Sequence, residues 1–182
     1  MIEDLGESGK LVLSYARRAA EDLSSEAIGS EHLFLGVAEL EDLALRRLFQ
    51  ARGVDLDEVC EELRGRLAHG VPTGYLPLTD TAEQAFEVAK HEAAQLGERL
   101  VEAPHILLGV LRDEDGLAAR LLADRETDVS GLADALTEML EEGNWTPEGF
   151  YRSRRAVEQP AIGSTSVLES LGRDLTQEAE RG

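Results

Sequence analysis

The sequence repeats itself. His32-Leu33-Phe34-Leu35-Gly36-Val37 and His105-Ile106-Leu107-Leu108-Gly109-Val110 are near copies set 73 residues apart. At the same spacing Ala16 matches Ala89 and Ala20 matches Ala93. After a slip of one residue, Leu43-Ala44 matches Leu117-Ala118 and Arg46 matches Arg120. A unit this short buries little surface by itself, so repeated units gain stability by stacking on one another. The expectation is two tandem units, residues 1–70 and 71–142, packed about a pseudo-twofold axis, with residues 143–182 as a separate segment.

Each copy reads as helix. Leu11, Tyr15, Ala16, Ala19 and Leu23 share one helical face, and so do Ala82, Phe86, Ala89, Ala93 and Leu96. The repeated segments at 33–37 and 106–110 are apolar on nearly every side, as is a helix buried mid-domain. No stretch alternates apolar and polar residues with β-branched enrichment, so strands are not expected. The fold class is all-α: two pseudo-symmetric helical repeats followed by a flexible C-terminal linker. His69-Gly70-Val71-Pro72-Thr73-Gly74 reads as the turn between copies. Asp80-Thr81-Ala82-Glu83 reads as a capping box opening the second copy, with Thr79 an equally good cap. Residues 143–166 contain Gly, Pro, Ser and Thr around Arg152, Arg154 and Arg155, a linker composition. A short amphipathic piece follows at 167–176.

Charge narrows the partners. Lys and Arg total 18 and Asp and Glu total 37, a formal charge of −19. A nucleic-acid binder must neutralise phosphates with clustered Lys and Arg, and anionic membranes impose the same demand. Both are excluded as expected partners, and basic partners are favoured. No apolar run approaches the ~20 residues of a membrane helix. Met1-Ile2-Glu3-Asp4 lacks the basic start and apolar stretch of a signal peptide. With Cys60 the only cysteine, no intrachain disulfide forms, and a soluble cytoplasmic protein is expected.

Ala27-Ile28-Gly29-Ser30-Glu31-His32 followed by the apolar Gly-containing helix resembles the signature of the Clp N-terminal repeat. Glu102-Ala103-Pro104-His105 with its own apolar helix is the second copy, and Tyr75-Leu76-Pro77-Leu78-Thr79 resembles the family's lead-in to it. The resemblance spans roughly residues 5 to 142. Residues 168–176 are similar to the segment that opens the first ATPase module of Clp unfoldases, with the ClpC branch the best fit. Residues 143–182 would then be linker and the start of such a module. The resemblance implies a receiving domain, without catalysis or cofactor, on a hexameric ring that feeds proteins to a protease. Its partners would be substrate proteins or peptides and adaptors directly, and the Clp ATPase ring and protease indirectly. The isolated domain would be a monomer, since ring formation would belong to the ATPase modules. In some ClpC proteins each repeat binds a phosphorylated arginine. The alternative is a stand-alone Clp-repeat protein acting as adaptor or peptide-sequestering decoy.

Gly29-Ser30-Glu31-His32 is the leading ligand candidate. A helix beginning at Ser30 or Glu31 directs free N–H groups and a positive dipole end at an anion. Glu31 offers a carboxylate to a guanidinium. Phosphoarginine presents both features. The plain structural alternative makes Ser30 an N-cap and Glu31 a complement to the dipole. The second copy departs from the pattern. At the matching positions stand Glu102, Ala103 and Pro104, and Pro104 offers neither a carboxylate nor an N–H. The second site is expected to be lost or altered.

Other motifs carry less. His32 and His105 lack surrounding ligands at metal spacing and read as structural, hydrogen-bonded histidines. His91-Glu92-Ala93-Ala94-Gln95 lacks the second histidine of a zinc motif. Gly6-Glu7-Ser8-Gly9-Lys10 fails as a phosphate loop, with Asp4 and Leu11 at positions needing Gly and Ser or Thr. Cys60 sits among acids that should raise its pKa, and reads as packing. Leu5 and Leu78 stand where the family commonly has Phe, and are candidates for a changed peptide or adaptor groove.

Overall fold

A computed structural model describes residues 2–67 and 74–158. Most of the expected inter-repeat turn and all of the 167–176 piece lie outside the described residues. After a short 3-10 turn at Ile2–Asp4 come α1 (Glu7–Asp22), α2 (Ser30–Glu39), α3 (Leu43–Ala51) and α4 (Leu56–Arg66). The same order recurs in α5 (Asp80–Gln95), α6 (Ala103–Leu111), α7 (Leu117–Asp124) and α8 (Val129–Glu141), and α9 (Pro147–Glu158) follows. There is no strand among the described residues, and the all-α class holds.

Short polar side chains start several helices. Asp42 Oδ1 accepts from the N–H groups of Ala44 and Leu45 and so caps α3. Asp55 does the same for α4, and Asp128 accepts from Gly131 N–H in α8. For α5 the cap is Thr79, which accepts from Ala82 N–H. Asp80 is its first helical residue, where its charge complements the dipole.

The two central helices are α2 and α6. Leu33, Phe34, Leu35, Ile106, Leu107 and Leu108 are all fully buried, as their all-round apolarity demands. α1 packs on α2, α5 packs on α6, and α2 meets α6 between them. The repeated glycine permits this. A methyl group on Gly36 would strike the Val12 carbonyl, and one on Gly109 would strike the Ala85 carbonyl. Val12 and Ala85 are themselves one repeat apart, so both crossings rest on the same close backbone approach.

The repeats also exchange their lead-in segments. Leu5 forms a parallel bridge with Val101, and Leu78 forms one with Ile28. Gly6 N–H donates to Val101 O at 3.0 Å and Val101 N–H to Asp4 O at 2.8 Å. Thr79 N–H donates to Ile28 O at 3.0 Å and Ile28 N–H to Pro77 O at 2.8 Å. Every residue of one bridge lies 73 positions from its counterpart in the other, which is the pseudo-twofold relation expressed in hydrogen bonds. Leu5 and Leu78 are thus bridge residues. Leu5 is only 1% exposed and belongs to the core, while Leu78 is half-buried.

Residues 143–158, the first part of the expected linker, include a helix. Gly143, at φ 68°, closes α8 in the left-handed conformation. Trp145 then packs back on the first repeat, its indole N–H donating to Asp42 Oδ2 at 2.8 Å. Pro147 occupies the first position of α9. The Gly and Pro that suggest a linker here punctuate helices instead. Within α9 the Arg154 guanidinium lies over the Phe150 ring. Residues 159–182 lie outside the described residues.

Candidate functional site: two pairs of helix starts

Because the lead-ins cross over, each repeat's first helix begins beside the other repeat's central helix. The start of α5 adjoins that of α2, and the start of α1 adjoins that of α6. The two pairs are built on equivalent positions but furnished differently.

At α2 the cap is Gly29, in extended backbone, and Ser30 is the first helical residue, 3% exposed. The structural alternative of a Ser30 cap is therefore corrected. His32 does the capping that Gly29 has no side chain to do. Its Nδ1 accepts from Gly29 N–H at 3.0 Å, which puts the proton of the neutral ring on Nε2, 3.0 Å from Ser25 Oγ. Glu31 folds its carboxylate back over Gly29, into space that a Cβ there would fill. Burial pushes the Glu31 carboxyl up. His32 and Glu31's own backbone N–H more than offset this, so it sits below the usual carboxylate range. Its Oε1 is 3.3 Å from His32 Nδ1. That nitrogen already accepts a hydrogen bond in the neutral ring, so the backbone N–H is the partner that holds without protonating His32. Across from it, Thr79 Oγ1 and Thr81 Oγ1 lie 2.9 Å apart at the start of α5. This pair offers helix dipoles, two hydroxyls and one partly exposed carboxylate.

The second pair is full. Glu102 stands where the first repeat has Gly29, and it caps across the repeats. Its carboxylate accepts from Ser8 N–H at 3.0 Å and from Ser8 Oγ–H at 2.5 Å. Ser8 Oγ in turn accepts from Ala103 N–H at 2.9 Å. The starts of α1 and α6 are thus satisfied reciprocally, with Glu102 only 5% exposed. Gly6 makes room, since any Cβ there would collide with the Glu102 carboxylate. Pro104, buried at the position matching Glu31, brings no charge. His105 repeats the backbone role of His32, its Nδ1 accepting from Glu102 N–H at 3.0 Å. Its Nε2 has no hydrogen-bond partner. Glu98 replaces Ser25 at the matching position, and its Oε2 is 3.7 Å away. Burial pushes the His105 imidazole down to about 4. Burial, and then the Glu102 charge, push Glu98 up.

Among the described residues no group of three or more His, Cys, Asp and Glu is placed to hold a metal ion. No described helix is long and apolar enough to cross a membrane. The Cys60 thiol is pushed up to about 11, chiefly by burial. Asp57 and Glu39 add to the rise, while Arg64 and Arg46 oppose it. The expectation assigned that rise to acids alone. Reading the motifs alone passes over Ser8, Thr81 and Glu98. Carrying the 73-residue spacing upstream exposes them, since it aligns Gly6 with Thr79, Ser8 with Thr81 and Ser25 with Glu98.

The fold and its paired helix starts define a double helical-repeat domain. A family model for the Clp repeat (R) N-terminal domain matches residues 77–158. The ClpC ATP-binding subunit of the ATP-dependent Clp protease from Staphylococcus aureus (strain USA300) is 31% identical over 179 residues, 98% of this chain and 21% of that protein. The chaperone protein ClpB of Oceanobacillus iheyensis is 33% identical over 178 residues, 97% of this chain and 21% of that protein. The N-terminal domain of the chaperone ClpD from Arabidopsis thaliana superimposes with a TM-score of 0.60 at 21% identity, covering 76% of this chain and 96% of that one. The Hsp104 N-terminal domain from Candida albicans does so with a TM-score of 0.64 at 15% identity, covering 78% and 93%. The match to the Clp repeat (R) N-terminal domain family lies over the second repeat and α9, while the ClpC and ClpB relatives align along nearly the whole chain. The chain spans about a fifth of the length of the curated relatives it matches.

Proposed function

We propose that the chain is the non-catalytic receiving domain of a ClpC-like unfoldase, taking up substrate or adaptor segments through one ligand position in the first repeat. That position lies where α2 and α5 begin. A phosphorylated arginine fits its chemistry: the phosphate faces the helix dipoles and the Thr79 and Thr81 hydroxyls, and the guanidinium group pairs with Glu31. The carrying observation is the difference between the two pairs of helix starts. The first has no side chain at Gly29 and carries the partly exposed carboxylate of Glu31, folded back over it. The second has Glu102 seated between its helices and Pro104 in place of a carboxylate. The formal charge of −19 favours Arg-rich segments over acidic ones. The proposal places this work in the cytoplasm, beside the ring that hydrolyses ATP.

Titration calorimetry with an arginine-phosphorylated peptide tests the assignment. Glu31→Ala should weaken binding by about tenfold or more, the size of a charge-assisted hydrogen-bonded pair. Undiminished binding by that variant would remove Glu31 from the site.

A further inference from the structure

We infer that the groove between α7 and the start of α8 takes an arginine side chain from a basic peptide, in the place that the first repeat gives to an arginine of its own. α3 and α7 end at the C-caps Arg52 and Arg125, 73 residues apart, and α4 and α8 begin at the N-caps Asp55 and Asp128, again 73 apart. The one-residue slip in the sequence lies at the other end, where α3 has 9 residues and α7 has 8. On this register two surface grooves match position by position. Arg46, Gln50 and Asp57 line the first, and Ala119, Ala123 and Ser130 line the second. Their volumes are similar, about 450 and 410 Å³. In the first groove Arg46 donates to both oxygens of Asp57, at 3.1 and 3.0 Å. In the second, neither a guanidinium nor a carboxylate stands at those two positions, and the groove reaches down to buried Leu111 and Ala133. Its acids are Glu114, exposed in the turn after α6, and Asp128, which commits Oδ1 to the Gly131 N–H and keeps Oδ2. Arg112 also lines the groove, but it lies 3.6 Å from Glu92 and 3.5 Å from Asp134, which balance its charge. A guanidinium on an aliphatic stem suits these surroundings. The stem lies on the apolar floor, and the head meets Glu114 and Asp128. The formal charge of −19 draws basic segments toward it.

This groove is built from α6, α7 and α8, so it stands or falls apart from the receptor position at α2 and α5. The probe is the peptide acetyl-Gly-Arg-Gly-amide, and amide NMR resonances are the readout, with Thr127, Ser130 and Gly131 reporting the groove and Ser30 and Thr81 the helix starts. In the wild-type chain the three groove amides should shift saturably. The same peptide with citrulline for arginine keeps the shape and loses the charge. It should bind at least about threefold more weakly, the size of an exposed ion pair. Glu114→Gln, a change to an exposed turn residue, should weaken the arginine peptide by about as much. Ala119→Arg combined with Ser130→Asp installs the first repeat's pair and should abolish the shifts. Should that double variant fail to fold, Glu114→Gln and the citrulline peptide decide. Groove amides unmoved in the wild-type chain overturn the inference, as do equal binding of the two peptides and undiminished binding by Glu114→Gln. A groove response lost in Glu31→Ala also overturns it. A groove response kept in that variant supports it, whatever happens to the first-repeat assignment.

Discussion

His32 and His105 do the same backbone work and meet different surroundings on the far side of the ring. Each accepts the N–H of the residue that opens its helix. His32 then reaches a hydroxyl, whereas the Nε2 of His105 is buried with only a carboxylate 3.7 Å away. Burial holds the His105 pKa near 4, against an ordinary value of 6.5. The folded state therefore refuses a proton that the unfolded chain takes up as pH falls through 6.5. Stability contributed by keeping the ring neutral is complete above that range and lost progressively down to about pH 4. The full loss comes to about 3 kcal/mol. Glu98 acts in the opposite sense, since its raised pKa makes the folded state the better proton acceptor at acid pH. Urea denaturation at a series of pH values, run on wild type and His105→Gln, isolates the histidine. The difference between the two should shrink from neutral to acid pH, and a constant difference would contradict the assignment.

At the scale of elements, the contact that holds the chain's exit is Trp145 on Asp42. The two oxygens of Asp42 are divided: Oδ1 caps α3 and Oδ2 accepts the indole N–H from beyond α8. Asp42→Ala removes a helix cap and strands a buried donor, so it should cost about 2–4 kcal/mol. Trp145 is the only tryptophan, and its emission should move to longer wavelength in that variant. Unshifted emission would mean the indole is held by packing alone. This contact is not legible beforehand, because Asp42 and Trp145 are 103 residues apart and each fits a local explanation, one as a cap and the other as part of a linker. The central helices were legible, since an all-round apolar segment has few places to go but the middle. The helix starts were legible only to within a residue. Gly29 and Thr79 compete with adjacent Ser30 and Asp80, and which one caps depends on partners brought by the other repeat.

Across the whole molecule, the repeat period accounts for the most and conceals the most. It predicts the two copies, their glycines and their pseudo-twofold packing. It does not predict that the lead-ins cross over, because Leu5 looks the same in sequence whether it bridges Ile28 of its own repeat or Val101 of the other. That crossing sets the Glu102 carboxylate between the starts of α1 and α6, while Pro104 brings no charge at the position matching Glu31. The loss or alteration expected there rests on Glu102, Ala103 and Pro104 as departures from the pattern, and what it does not supply is Ser8, the partner of Glu102, which stands in a segment that reads only as a failed phosphate loop. The central claim is that symmetry of fold carries asymmetry of binding. Calorimetric titration of the wild-type chain with an arginine-phosphorylated peptide measures it most directly. The account predicts a single equivalent, and two equivalents of equal affinity would contradict it.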